Sequence, residues 1–252
     1  MELGLKNKIA IVTGASEGLG KSIALALTKE GAKIAISARR SELLNQTCNE
    51  IRDNGGEALC FNGDMTDETA VKTFVKTVVE QWGTVHILVN NVGCATKIPF
   101  EEITDEDWKY TIDMNIYSTI FCTRNVLPYM KVQGWGRVIN ISAVSGHEPS
   151  SGLFASNVAK SGVNSFTKSL ANEVGKDNIS VNCVAPGRIL TPQVSRLFKP
   201  KKIQEIADAL IPMRRFGKPE ELADLVVFLA SEAASYINGT IIPVDGGLSR
   251  SI

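Results

Sequence analysis

The chain has 252 residues, 44% of them apolar and 21% charged, with 27 basic and 27 acidic side chains and a formal net charge of zero. That length can bury a sizeable core without a staple or a metal, and the charge balance gives no electrostatic ground for binding nucleic acid or an anionic membrane. With only two histidines, His86 and His147, and no apolar run long enough for a membrane span, neither a His-rich metal site nor a transmembrane anchor is expected.

The start, "MELGLKNKIAIVTG", lacks the charged-then-apolar pattern of a signal peptide, so a soluble cytoplasmic protein is expected. Five cysteines (Cys48, Cys60, Cys94, Cys122, Cys183), odd in number and without CxxC pairs, predict reduced thiols that mostly fill the core.

In chain order, short β-branched runs predict strands at 9–12, 33–38, 57–61, 86–90, 136–142, 179–185 and 240–244. Amphipathic stretches between them predict helices at 19–30, 41–54, 67–82, 105–131, 157–174 and 219–231. Near-continuous apolar strands alternating with helices imply a parallel sheet of about seven strands covered on both faces. The expected fold is α/β, a single doubly wound (Rossmann) domain over residues 1–252. The least regular segment, 187–218, is rich in Pro and Lys and reads as an excursion over a site, a substrate lid.

The first strand runs into "TGASEGLGKS", with Gly14, Gly18 and Gly20 between a strand and a helix. Residues without Cβ at such a turn let backbone N–H groups and a helix N-terminus meet a pyrophosphate. The spacing is G-x-x-x-G-x-G, and the alternative is a turn that needs glycine only for its shape. The second strand ends "ISARR". An acid there would accept hydrogen bonds from a free ribose 2′-hydroxyl; Arg39 and Arg40 instead suit a 2′-phosphate, which favours NADP(H) over NAD(H). Glu17, beside the turn, argues the other way, and the alternative for the arginines is two solvated charges at a helix start.

With these motifs in place, the chain resembles the classical short-chain dehydrogenase/reductase family, nearest to its 3-oxoacyl-carrier-protein-reductase-like members, over essentially its whole length. "TGASEGLG" is similar to the family's cofactor turn, which implies contacts from Gly14, Ser16, Gly18, Leu19 and Gly20. The resemblance also implies Asp64 and Met65 at the adenine, and Asn91 and Gly93 of "NNVG" beside the cofactor. It puts Asn115 at the kink of a helix in a proton relay, and Pro186, Gly187, Ile189 and Thr191 near the nicotinamide carboxamide. A small-molecule substrate and a homo-oligomer, a dimer or a homotetramer, are likewise what the resemblance implies.

The reaction centre departs from the family pattern of a Ser thirteen residues before a Tyr, with a Lys four residues after it. Lys160 is present, but the Tyr place holds Ser156 and the Ser place holds Ala143. An aliphatic hydroxyl is far less acidic than a phenol and shorter, and losing a positioned acid costs about 10²- to 10⁴-fold. Three readings follow. One is an oxidoreductase acting on a carbonyl or alcohol with another proton donor, drawn from Ser142 or from His147 on the loop after the fifth strand. A second is a non-redox dehydratase or isomerase in which Lys160 acts more directly. The third is a cofactor-binding pseudoenzyme subunit. The catalytic candidates are therefore Asn115, Ser142, His147, Ser156 and Lys160, with Lys160 also implied on the nicotinamide ribose. No metal is expected.

Overall fold

The computed structural model describes residues 2–250. Seven parallel strands lie in the order β3-β2-β1-β4-β5-β6-β7. They are β1 (Ile9–Thr13), β2 (Lys33–Ala38), β3 (Ala58–Asn62), β4 (Ile87–Asn90), β5 (Gly136–Ile141), β6 (Ile179–Pro186) and β7 (Ile241–Val244). Between them come α1 (Gly18–Lys29), α2 (Ser41–Asp53), α3 (Glu68–Trp82), α4 (Asp105–Ile112), α5 (Ser118–Gln133) and α6 (Phe154–Val174). Then follow α7 (Pro192–Leu197), α8 (Pro200–Leu210) and α9 (Pro219–Ala230). This is the expected α/β doubly wound, Rossmann-like sheet.

Alternation along the strands splits the core in two. Ala10 and Val12 of β1, Ile87 and Val89 of β4, and Ile139 and Ile141 of β5 face α1, α2 and α9 through Ile23, Leu27, Leu44, Ile51, Leu222 and Val226. Ile9, Ile11, Leu88, Val138 and Val181 face the other way, onto Val71, Phe74 and Val78 of α3, Cys122 and Val126 of α5, and Val174 of α6. Both faces are covered, which is why the strands read as continuous apolar runs. Local chemistry sets the helix ends. Asp67 accepts from Thr69 N at 2.9 Å at the start of α3, and Gly83 closes that helix at φ 89°.

The strand order reverses direction between β1 and β4, so a crevice opens above their carboxyl ends, where doubly wound sheets take their ligands. A buried polar network holds the elements around that crevice. Asn90 donates to Asn140 at 2.8 Å and to Thr123 at 3.0 Å, and Asn140 donates to Thr167 at 2.9 Å. The network ties β4 and β5 to α5 and α6, which carry the residues at the crevice wall.

Three features differ from the sequence expectation. The stretch 105–131 is not one α-helix: a π-helical turn, Asp113–Tyr117, separates α4 from α5. The segment 187–218 is not wholly irregular, because proline at the first helical turn starts both α7 and α8. And the five cysteines are not all thiols. Cys48 of α2 and Cys60 of β3 form a disulfide with Cα atoms 6.3 Å apart, while Cys94, Cys122 and Cys183 are free. Twelve residues separate the pair in sequence, and they meet only because the chain folds back from α2 into β3.

Candidate active site

The glycine turn sits at the end of β1. Gly14 and Gly18 have φ 64° and 62°, the left-handed region that favours glycine. Gly20 lies so close to the strand end that a Cβ there would stand 2.5 Å from the Gly14 carbonyl oxygen and 2.6 Å from Asn91 Nδ2. Asn91 braces the turn from β4 by donating to the carbonyls of Thr13 and Gly14, each at 3.0 Å. Ala15 N donates to Ser37 O at 3.1 Å, and Thr47 Oγ1 donates to Ser16 O at 3.1 Å. Leu19 follows Gly18 in the first turn of α1.

Arg39 and Arg40 follow β2 at the same rim. The Tyr110 side chain and the Asp64 carboxylate raise the pKa of Arg39 above its ordinary value; the Asp64 contact is 3.5 Å. Asp64 is itself oriented by Thr66, whose backbone N and hydroxyl both donate to it at 2.9 Å. Met65, beside it, precedes α3 and is buried in the core cluster against that helix. Arg40 pairs with Glu17 at 2.5 Å. Glu17 also accepts two hydrogen bonds from Arg196 of α7, at 3.0 and 2.7 Å. Those guanidinium groups, Arg196 first, hold the Glu17 carboxyl down at about 2. Glu17 is therefore neutralised on both sides, and neither its tie to Arg196 nor the Tyr110 contact had a signal in the sequence.

The reaction corner gathers on the opposite wall. Asn115 lies inside the π-helical turn, and its Nδ2 donates to the Thr111 carbonyl at 2.8 Å. The same amide donates to Cys94 O at 3.1 Å, and its Oδ1 accepts from Cys94 N at 3.3 Å. A Cβ on Gly93 would fall 2.7 Å from Asn115 Oδ1 and 3.0 Å from Lys160 Nζ, so these three groups meet at one point. Lys160 is buried on α6 and donates to Ile141 O at 3.1 Å. Burial pushes its pKa down to about 8, against the opposing influence of Cys183 and Cys94. Burial also raises the Cys94 thiol above its ordinary value.

The remaining candidates are placed less directly. Ser156, one turn before Lys160, is 1% exposed. Ser142 is buried at the end of β5, and its hydroxyl donates to the Lys160 carbonyl at 3.2 Å, toward the helix backbone. Ala143 precedes a 3₁₀ turn, Val144–Gly146, and His147 lies exposed just after it. Pro186 ends β6, and a Cβ on Gly187 would meet Asp245 Cβ at 2.5 Å. Ile189 pairs with Gly217 across the base of the 187–218 segment. Thr191 caps α7 by accepting from Val194 N at 3.4 Å, and its side chain comes within 3.6 Å of a Cβ built on Gly18. Among the described residues no group of three or more metal-ligating side chains occurs, and no helix is long and apolar enough to cross a membrane.

The cradle formed by Gly14, Gly18 and Gly20, closed to any Cβ at Gly20 and flanked by two arginines, fits a dinucleotide whose pyrophosphate meets the N-terminus of α1. Known proteins agree. The family described as enoyl-(acyl carrier protein) reductase matches residues 14–249. The 3-oxoacyl-[acyl-carrier-protein] reductase of Thermotoga maritima is 37% identical over 97% of this chain and 98% of that protein. L-sorbose reductase from Gluconobacter frateurii, solved with NADPH and L-sorbose, superimposes with a TM-score of 0.96 at 34% identity over 100% of both chains. A 7α-hydroxysteroid dehydrogenase solved with NADH superimposes with a TM-score of 0.94 at 30% identity, over 99% of this chain and 97% of that one. The chain belongs to the short-chain dehydrogenase/reductase family and is an NAD(P)-dependent oxidoreductase of that type.

Proposed function

We propose that this chain is an NADP(H)-preferring oxidoreductase acting on a carbonyl or alcohol carbon of a small molecule, with a proton donor other than a tyrosine. The observation that carries the reading is the reaction corner. Asn115, Gly93 and Lys160 converge there, whereas the position one turn before Lys160 is a buried serine and the loop after β5 carries Ala143.

Gly14, Ser16, Gly18, Leu19 and Gly20 would hold the pyrophosphate, and Arg39 and Arg40 the 2′-phosphate. Asp64 and the main chain at Met65, whose side chain is buried in the core, would face the adenine, with Asn91 and Gly93 along the cleft floor. Lys160 would hold the nicotinamide ribose, and Pro186, Gly187, Ile189 and Thr191 the carboxamide end. The bound dinucleotide supplies the hydride donor or acceptor at its nicotinamide ring. What the chain must supply is a proton at the substrate oxygen and the exclusion of water around it. Lys160, with its pKa near 8, is the acid on the same helix as Ser156; His147 would reach the corner only from its exposed loop. The 187–218 segment, tied to the glycine turn through Arg196 and Glu17, would act as the lid. A cytoplasmic homotetramer or dimer is part of this proposal.

Ser142 supports a second reading. Its hydroxyl is engaged with the Lys160 carbonyl, so Ser142 does not offer its hydroxyl as an acid at the corner. That arrangement suits a non-redox dehydratase or isomerase, or a cofactor-binding pseudoenzyme subunit. NADPH oxidation against a panel of aldehydes, ketones and 3-oxoacyl thioesters tests both. The first reading expects turnover by the native chain, with His147→Ala separating the two donors: loss assigns the proton to His147, retention to Lys160. No turnover by the native chain, with turnover gained by Ala143→Ser plus Ser156→Tyr, supports the pseudoenzyme. Conversion of a hydroxyacyl substrate without change in nicotinamide absorbance supports the non-redox enzyme.

A further inference from the structure

The Cys48–Cys60 disulfide joins two elements that both touch the adenosine end of the crevice. Cys48 is buried on α2, and its neighbour Thr47 donates to Ser16 O of the glycine turn. Cys60 is partly exposed at the centre of β3, in register with Ile36 of β2. Two residues on, Asn62 Nδ2 donates to the carbonyls of Ala38 and Arg39, at 3.1 and 3.0 Å. The turn between β2 and α2, with Arg39 and Arg40, is thus held from the β3 side, while α2 braces the neighbouring glycine turn. The disulfide links those two supports covalently.

We propose that Cys48 and Cys60 are a reversible thiol–disulfide pair through which small-molecule thiols and disulfides set how firmly the Arg39–Arg40 turn grips the dinucleotide. The coupling rests on the NADP(H) reading above; the redox chemistry does not. The sulfur of the partly exposed Cys60 is the point of attack. A thiolate bonds to Cys60 Sγ, the Cys48–Cys60 bond breaks, and Cys48 leaves as a thiolate that takes a proton from water. A second thiol then displaces Cys60 from the mixed disulfide, so that two thiols are oxidised to one small-molecule disulfide as the protein pair is reduced. The reverse exchange restores the bond. Reduction leaves Leu44 and Ile51 packed in the core, so α2 stays docked; what loosens is the span from its first turns to the sheet.

The experiment uses the full chain equilibrated over a series of ratios of reduced to oxidised glutathione. Free thiols are alkylated and mapped by peptide mass, and NADPH affinity is titrated by cofactor fluorescence on the same samples. The expected result is interconversion of the Cys48–Cys60 pair without unfolding, with NADPH binding three- to tenfold weaker in the reduced form. Cys60→Ser should hold that weaker affinity at every ratio; wild-type protein reduced in place gives the same comparison if the variant fails to fold. A pair that stays as thiols, or stays bonded, at every ratio overturns the proposal, as does equal NADPH affinity in both states. If NADPH binds in neither state, the cofactor reading fails and the coupling with it. Hydrogen exchange over residues 38–48 without cofactor then reports separately whether reduction loosens the turn.

Discussion

Replacement of Arg39 by alanine should weaken NADPH binding and leave NADH binding nearly unchanged. The Arg39 guanidinium lies just past the end of β2, held by the Tyr110 side chain and by Asp64 at 3.5 Å. A charge-assisted hydrogen bond contributes about 1.5–3 kcal/mol. The Arg39 side chain is 54% exposed, so solvent screening puts its share near the lower end, about 1.5 kcal/mol or roughly tenfold in affinity. Arg40 should matter less, because a 2′-phosphate must first compete with the Glu17 carboxylate already paired to it. Calorimetric titration of both dinucleotides, at low and high salt, measures these differences directly. Arg39→Ala should also flatten the salt dependence of NADPH binding, since the charged contact is the part that salt screens. Equal loss of NADPH and NADH affinity, or no loss of either, would refute the assignment of Arg39 to the 2′-phosphate.

Two further predictions concern the glycine turn and the buried lysine. Gly20→Ala puts a methyl group 2.5 Å from a backbone oxygen that cannot swing aside, so it should cost about 1–3 kcal/mol in stability and disrupt dinucleotide binding; an unchanged melting temperature and affinity would contradict the cradle. Lys160 is held near 8 by burial against about 10.4 in an unfolded chain, so between those values the unfolded state binds the extra proton and stability rises with pH. Denaturant unfolding of wild type against Lys160→Met should show the wild type gaining up to about 3 kcal/mol on the variant from pH 7 to 10.5; a constant difference would mean that the amine titrates as an exposed lysine does.

Most of the frame was legible because two local signals dominate it. Near-continuous β-branched apolar runs marked the seven strands, and the glycines at 14, 18 and 20 marked the turn that any ligand of the crevice must meet. What stayed hidden depends on contacts between residues far apart in sequence. Glu17 read as a charge that would repel a phosphate, yet Arg196, 179 residues away, shares its carboxylate with Arg40. Cys48 and Cys60 follow no spacing rule, because helix–strand packing alone brings them together. The stretch 105–131 kept its helical period through the π-helical turn, because that turn changes the backbone hydrogen-bond register without interrupting the apolar spacing in the sequence. Ser142 illustrates the limit at the reaction corner: a hydroxyl one place from the expected serine could have served it, but its hydrogen bond runs to the Lys160 carbonyl. Direction at the end of a strand is decided by the helix packed beside it, which no local pattern records.

The most direct test of the account is a titration of NADPH and NADH against the purified protein, with one-to-one binding read by calorimetry. The cradle at Gly14, Gly18 and Gly20 and the paired arginines predict saturable binding of NADPH, roughly tenfold or more tighter than NADH. Absence of binding by either dinucleotide would contradict the account at its centre, because every role given to Asn115, Lys160 and the 187–218 segment depends on that occupant.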